Sequence, residues 1–449
     1  MTTVYKIVKP DLTSIGLESM VEKLRKGGDF LTEDLKKANV PKYLHWDQVR
    51  HKEFGSDLTK EEYWFLLKQI RKISSTKTSI KAEDGSNFNW FRIPYTDEYL
   101  HKIDMQSGGQ MFSTYSTIAE LNKQKFVSRG VLEEAIASSQ LEGAHTTRKV
   151  AKKMLLEKRE PRNESERMIV NNYRAIEAIN EDFKDRKLNK EMLFELHRML
   201  TEGTELPENE RGRFRSDTDN IVVTGVFGSE EVITHIAPKQ EFVEREIERL
   251  FDYANDMEAN KFVHPVIKAI FIHFWIGYLH PFVDGNGRLA RTLFYWYLLK
   301  NDYWSFIYLP ISTVIKKSPT QYARAYIYSE QDDYDITYFY DYHMRKIIQA
   351  LEEFNGYVES QLEENKKINS LLKNHLGLND RHKHLIHYLL ADEGVYTTVT
   401  SHSTINGVVR QTAQRDLRNL VERGFLKKER VGKYVHYLPT SELREKTSK

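Results

Sequence analysis

Residues 266–299 read VIKAIFIHFWIGYLHPFVDGNGRLARTLFYWYLL. Two strongly apolar runs with helical spacing flank one polar turn, His280 to Gly287. Helices that are apolar all round are buried, so the turn between them is held by a core. Gly285, Asn286 and Gly287 permit positive φ and can gather successive backbone N–H groups into one concavity. That concavity would sit at the N-terminus of the second helix, where the dipole favours an anion. Arg288 and Arg291 are three apart and share a face of its first turn. Cations there oppose the dipole, and they make sense when a polyanion lies between them; Arg suits phosphate. Asp284 beside a phosphate is repulsive unless a divalent cation bridges the two, and Mg2+ is the usual bridge. His280, closing the first helix, is placed to act as a general base. Gly-Asn-Gly alone is a helix-capping turn in most proteins, and a single His after a buried helix is usually structural. Their combination with Asp284 and two arginines points instead to a Mg-nucleotide site that takes a proton from a hydroxyl.

Outward from this stretch, helical spacing predicts amphipathic helices over 61–73, 131–141, 164–182, 190–200 and 240–257. One segment breaks the pattern. Residues 220–236 (NIVVTGVFGSEEVITHI) are rich in β-branched residues on both sides of Phe227-Gly228-Ser229, which predicts a β-hairpin ended by Pro238. Residues 352–374 read as a charged helix, and Gly377-Leu378-Asn379-Asp380 marks a boundary. Beyond it the order is a helix over 382–390, a Thr/Ser-rich piece, a helix over 410–423, and two short strands around Val431-Gly432-Lys433. The expected class is mainly α, with a small C-terminal α+β part.

The chain has 449 residues with 67 Lys and Arg against 65 Asp and Glu, a net charge of +2. At 40% hydrophobic and 12% aromatic it can bury real cores, which excludes wholesale disorder. Near-neutrality argues against a protein that coats nucleic acid over its whole surface. The absence of cysteine excludes a disulfide scaffold, a zinc ribbon and a cysteine nucleophile, and fits a reducing, cytoplasmic compartment. MTTVYKIVKPDLTS lacks the apolar core of a signal peptide. The most apolar stretch, 269–279, is too short to span a bilayer and contains His273. No membrane partner is expected.

The run His280-Pro-Phe-Val-Asp-Gly-Asn-Gly-Arg-Leu-Ala-Arg291 resembles the Fic motif, HPFx[DE]GNGRxxR, at every defining position. The resemblance implies a mainly helical Fic core that transfers AMP from ATP to the hydroxyl of a Ser, Thr or Tyr on a target protein or on itself, with Mg2+ as cofactor. It gives His280 the role of base and Asp284 that of Mg2+ holder. The Gly285 to Gly287 amides, with Asn286, would cradle the phosphates. Arg288 and Arg291 would grip the triphosphate, Arg291 nearest its γ-phosphate, and Phe282 would be packing. Doc-type kinases lack the intact GNGRxxR ending, so its presence favours AMP transfer. The family's β-hairpin flap would be the hairpin at 220–236, aligning a target segment by strand pairing, with Val232, Ile233, Thr234 and His235 nearest the nucleotide. Gln321-Tyr322 resembles an aromatic pair on the adenine side; Ser329 stands where the family often has Asn.

Upstream, Ser138-Ser139-Gln140-Leu141-Glu142-Gly143 resembles the family's inhibitory motif, [ST]xxxE[GN], through Ser138, Glu142 and Gly143. It implies an inhibitory helix over about 131–143 whose Glu142 pairs with Arg291. Such pairs are commonly bidentate, and a paired Arg291 leaves ATP in a pose unsuited to in-line attack. Glu142 could equally position water for AMP removal, making the protein a de-AMPylase or a bifunctional enzyme. The expected division is a helical region 1–105, a Fic core 106–360 and a winged-helix domain 375–449. In the last, TAQRDLRNLVERGFLKK resembles a recognition helix with its strand and ERVGKYVHYLP the wing. Arg410, Gln411, Gln414, Arg415 and Arg418 on that helix could enter a major groove. A DNA-binding regulator with a nucleotide-sensing core is therefore the rival reading, although sensing alone needs no His280. The expected partners are ATP, a target protein, the chain itself, DNA and a second copy of the chain.

Overall fold

A computed structural model describes residues 3–13, 15–55, 57–107, 120–258, 262–371, 378–390, 395–431, 434–441 and 443. Gly377 of the expected boundary and the Gly432-Lys433 turn lie outside the described residues. In chain order the elements begin with α1 (Leu17–Asn39), α2 (Trp46–Val49), α3 (Lys60–Ser74), β1 (Ser75–Lys81), β2 (Asn87–Phe91) and α4 (Tyr95–Ser107). Then come α5 (Glu120–Leu141), α6 (Arg148–Leu156), α7 (Glu164–Ala178), α8 (Lys190–Thr201), β3 (Val222–Phe227), β4 (Glu230–Ile236) and α9 (Gln240–Ala254). The chain continues through α10 (Pro265–Leu279), α11 (Asn286–Lys300), α12 (Ile311–Ile315), α13 (Pro319–Gln331) and α14 (Thr337–Leu371). It ends with α15 (Asp380–Leu390), α16 (Val399–Asn406), α17 (Arg410–Glu422), β5 (Leu426–Val431) and β6 (Tyr434–Pro439).

The fold is mainly helical, and the helices expected from spacing are present. Their ends follow local chemistry. Thr59 opens α3 with a reciprocal capping box to Glu62, and the Asn189 side chain caps α8 through the Met192 amide. The stretch expected as one helix over 164–182 is α7 followed by a single π turn, Ile179–Phe183. Two elements depart from the sequence expectation more clearly. The β1–β2 hairpin was not expected, because Ser75–Lys81 (STKTSIK) carries one large apolar residue and no alternation to read. The charged helix expected over 352–374 is, as far as Leu371, the end of a much longer one, α14, which starts at Thr337; residues 372–374 lie outside the described residues.

The chain divides into two compact units. The first comprises residues 1–109, 175–304 and 314–348. Its centre is the α10/α11 pair. Every residue of α11 from Arg288 to Leu299 is buried, as is every residue of α10 from Val266 to Leu279 except Gly277. A Cβ on Gly277 would fall 2.3 Å from the Tyr326 hydroxyl, so glycine there admits α13 against α10. Burial of this many Phe, Trp, Leu and Ile side chains, each contributing about 1.5–3 kcal/mol, makes the pair a rigid base for the turn between them. The amino-terminal helices are pinned by Arg71, which is fully buried. Its guanidinium donates to the carbonyls of Ala38 (3.0 Å) and Leu44 (2.9 Å) and stacks 3.5 Å over the Tyr43 ring.

The second unit comprises residues 110–174, 305–313 and 349–449. In it α5 packs with α6 and α16. Asp416 on α17, 3% exposed, accepts from Arg381 on α15 (2.7 Å) and sits 3.3 Å from the rings of both His382 and His402. Although burial raises a carboxyl, those three donors hold Asp416 far below the usual range. The β5–β6 hairpin is extended by Thr397, which exchanges two backbone bonds with Tyr437 at 3.0 and 2.9 Å.

Candidate active site

The loop joining α10 to α11 is built by backbone conformation first. His280 caps α10 with φ +46°, and Gly285 caps α11 with φ +81°. A side chain at Gly285 would be strained by that φ and would meet Thr201 Cγ2 at 3.2 Å. Between them the Asn286 side chain closes the loop on itself. Its Oδ1 accepts from the Phe282 amide (3.0 Å) and its Nδ2 donates to the Phe282 carbonyl (2.8 Å). Asn286 is 2% exposed, so its side chain shapes the loop and its amide joins those at the helix N-terminus. Phe282 is fully buried, as expected.

The chemistry-bearing side chains sit around this loop. The Gly277 carbonyl accepts from His280 Nδ1–H at 3.2 Å, which leaves the basic lone pair on Nε2. Arg288 is fully buried and donates to the Leu200 carbonyl (2.7 Å) and to Asp284 Oδ2 (3.2 Å). The Asp284 side chain is half exposed. Arg291 lies one turn further along α11, buried. Burial, with a lesser contribution from its guanidinium, disfavours the charged form of two nearby imidazoles. His273 is held well below its ordinary value by burial, by His343 and by Arg291. His343 is pushed down to about 3, again chiefly by burial. Tyr322, half-buried on α13, reaches His273 Nε2 with its hydroxyl at 2.9 Å. Ser329 is buried and takes the Phe339 amide.

The expected hairpin is β3–β4, antiparallel, with a bulge where Val223 and Thr224 face His235 and Ile233. Val232, Thr234 and His235 are buried and Ile233 is half-buried. His235 is committed to protein partners: Nδ1 lies 2.7 Å from Glu330 and Nε2 2.8 Å from the Tyr278 carbonyl. Both acceptors are satisfied only by the doubly protonated ring. Burial alone would lower its pKa, but Glu330 and the Tyr278 carbonyl raise it above the ordinary value. Its ring stands 6.3 Å from that of His280. In the second unit, Ser138, Glu142 and Gly143 close α5. Ser138 is buried, and Gly143 has φ +91°. The Gly143 and Ala144 amides donate to the Gln140 (3.3 Å) and Ser139 (3.0 Å) carbonyls, a Schellman ending.

Sequence reasoning missed two residues that hold the loop. His197 on α8 is fully buried. The Gly212 amide donates to its Nδ1 (2.9 Å), so Nε2 carries the proton and donates to the Asp284 carbonyl (2.9 Å). Its ring stacks on Phe282 at 3.8 Å, and burial pushes it down to about 4. Arg215 donates to the His280 carbonyl (2.7 Å) and to the Pro238 carbonyl that follows the hairpin. The only available signal was a His on the apolar face of a helix, and an Arg in a charged loop; neither discloses its partner.

The donor set accords with an octahedral, oxygen-seeking ion held mainly by phosphates and water. Asp284 offers one accessible carboxylate beside the amides of a helix N-terminus. No group of three or more His, Asp or Glu gathers for a metal among the described residues.

Residues 187–298 match the model of the Fic/DOC family. Over 84 residues the chain is 36% identical to a protein named Protein adenylyltransferase Fic from Nematostella vectensis, covering 19% of this chain and 17% of that one. Over 80 residues it is 32% identical to Protein adenylyltransferase fic-1 of Caenorhabditis elegans, covering 18% and 15%. The chain thus spans less than a fifth of the length of these curated relatives. Among solved structures, a Fic family protein from Desulfovibrio desulfuricans G20 aligns with TM-score 0.46 at 20% identity, covering 77% of this chain and 94% of that one. Fic-1 from C. elegans aligns with TM-score 0.42 at 17% identity, covering 60% and 73%. Among the described residues, no helix is long and apolar enough to cross a membrane.

Proposed function

We propose, from the match of residues 187–298 to the Fic/DOC family model and from the geometry of the loop, that the protein transfers AMP from ATP to a protein hydroxyl. The observation that carries the reading is the pairing of His280, its basic lone pair on Nε2, with a glycine-capped helix N-terminus. In the proposed step the hydroxyl proton passes to His280 Nε2. The hydroxyl oxygen bonds to the α-phosphorus, the bond from that phosphorus to the β-phosphate oxygen breaks, and pyrophosphate leaves. The amides at Gly285 to Gly287 and the guanidiniums of Arg288 and Arg291 would hold the phosphates; Arg288 also donates to Asp284, whose carboxylate would hold Mg2+. When bound, Mg2+ would neutralise phosphate charge.

The brake is proposed from the inhibitory motif: Glu142, against Arg291, restrains transfer. The test is AMP incorporation from α-labelled ATP with Mg2+, comparing the parental chain, Glu142→Gly and Glu142→Gly with His280→Ala. Label that is strong only in Glu142→Gly supports base, brake and transfer together. No label in any of the three overturns the reading.

A second observation favours a DNA partner for the domain proposed over 375–449. Helix α17 buries Ala413, Asp416, Leu417 and Leu420 and exposes Arg410, Gln411, Gln414, Arg415 and Arg418, while β5 exposes Lys427, Lys428 and Arg430. Such a face suits phosphate contacts from a helix in a major groove. A gel-shift titration on duplex DNA, with affinity falling steeply with salt, would support it; no shift at low salt would remove it.

A further inference from the structure

The edge of β4 is already occupied, and by the chain itself. Ile233 donates its amide to the Thr3 carbonyl (2.9 Å) and accepts from the Tyr5 amide (2.8 Å), so Val4 pairs with Ile233 as a parallel strand. The Tyr5 ring stacks on Phe227 of β3 at 4.7 Å. Gln331, at the end of α13, then takes the segment in both directions. Its Nε2 donates to the Tyr5 carbonyl (2.9 Å) and its Oε1 accepts from the Ile7 amide (3.0 Å). Ile7 is buried, whereas Thr3 and Val4 are exposed.

Two features set this pairing apart from ordinary sheet structure. It is made at one register position, with two backbone bonds, and short exposed pairings open readily. It also lies on the sheet edge that leads to the site: His235, two residues beyond Ile233, is the one whose ring is 6.3 Å from that of His280. Open edges of this kind take extended peptides, with backbone bonds for affinity and side-chain contacts for selection.

We propose that residues 3–7 are a displaceable occupant of the β4 edge, a built-in competitor that must leave before the acceptor segment expected on the hairpin can pair with Ile233. The acceptor segment would run parallel to β4, with a β-branched residue opposite Ile233 and an aromatic next to it on Phe227, the Val4-Tyr5 pattern. The meaning of the docked strand rests on the AMP-transfer reading; the occupancy of the edge does not.

Hydrogen exchange at the Ile233 amide tests this on the full chain, on a protein lacking residues 1–8, and on full-length Tyr5→Pro, which loses both the donor to Ile233 and the ring on Phe227. Exchange at Ile233 should rise about tenfold or more in both variants, with the rest of the first unit unchanged. The peptide MTTVYKIVKP should restore protection to the deleted protein and bind the full chain at least about tenfold more weakly, because the edge is filled. The same peptide carrying Tyr5→Ala should bind the deleted protein less tightly. Unchanged Ile233 exchange in Tyr5→Pro, or equal peptide binding to full and deleted chains, overturns the proposal. If the deleted protein does not fold, Gln331→Ala, which removes two bonds to the segment, takes its place. AMP transfer is read separately, in Glu142→Gly. Transfer with unaltered Ile233 exchange in Tyr5→Pro overturns the docking proposal and leaves the function; altered exchange without transfer sustains the occupied edge and removes the function.

Discussion

The loop between α10 and α11 and the β3–β4 hairpin flank the same histidine but are held by opposite means. The loop is fixed from beneath. Asn286 ties it to itself, His197 and Arg288 tie it to α8, and Arg215 grips the His280 carbonyl, all from buried positions. The hairpin has a largely exposed strand, with Val226 66% exposed, and rests on α10 and α13 through the His235 pair. A base must be aimed to within tenths of an ångström, and buried hydrogen bonds aim it. An element held by few anchors opens more readily.

The largest effect should come from the proposed base. His280→Ala in the Glu142→Gly background should lower AMP transfer by about 10²–10⁴-fold, with the melting temperature kept. A comparable loss of stability would instead make His280 a structural residue and break the comparison. Next, Gly285→Ala and Arg215→Leu should each cost about 2–4 kcal/mol in chemical denaturation. The first forces a side chain into φ +81° against Thr201, and the second strands the His280 and Pro238 carbonyls.

The two supporting histidines should then respond to pH with opposite signs. The folded state pushes His197 down to about 4 from an ordinary 6.5. The unfolded chain therefore binds more protons, and stability falls as the pH drops from 6.5 towards 4, by up to about 3 kcal/mol. His197→Gln should flatten that limb of a stability–pH curve. His235 is raised instead. Its contribution is complete below 6.5 and is lost as pH rises through its folded value, so His235→Gln should flatten the alkaline side and speed exchange of the β4 amides. Equal effects of both variants on one limb would remove the distinction. The smallest effect belongs to the exposed strand: Val226→Thr should change stability by no more than about 0.5 kcal/mol.

Much of this was legible in the chain. Strongly apolar runs at 266–279 and 289–299 declared two buried helices, and β-branched residues around Phe227-Gly228-Ser229 declared the hairpin, because burial and turn chemistry act locally on residue type. The β1–β2 hairpin was not legible, since its polar first strand borrows its order from its partner. Nor were the roles of Asn286, His197, Arg215 and His235, whose side chains point at backbone atoms between 4 and 87 positions away. Sequence by itself determined which residues could do chemistry at the loop and which element could lie over it. Only the tertiary structure decided which nitrogen of His280 carries the proton, which histidine is drawn towards its charged form, and that residues 3–7 occupy the edge of β4. Those depend on which acceptor lies within 3 Å of which donor, and hydrogen bonding at that range is set by packing rather than by residue type.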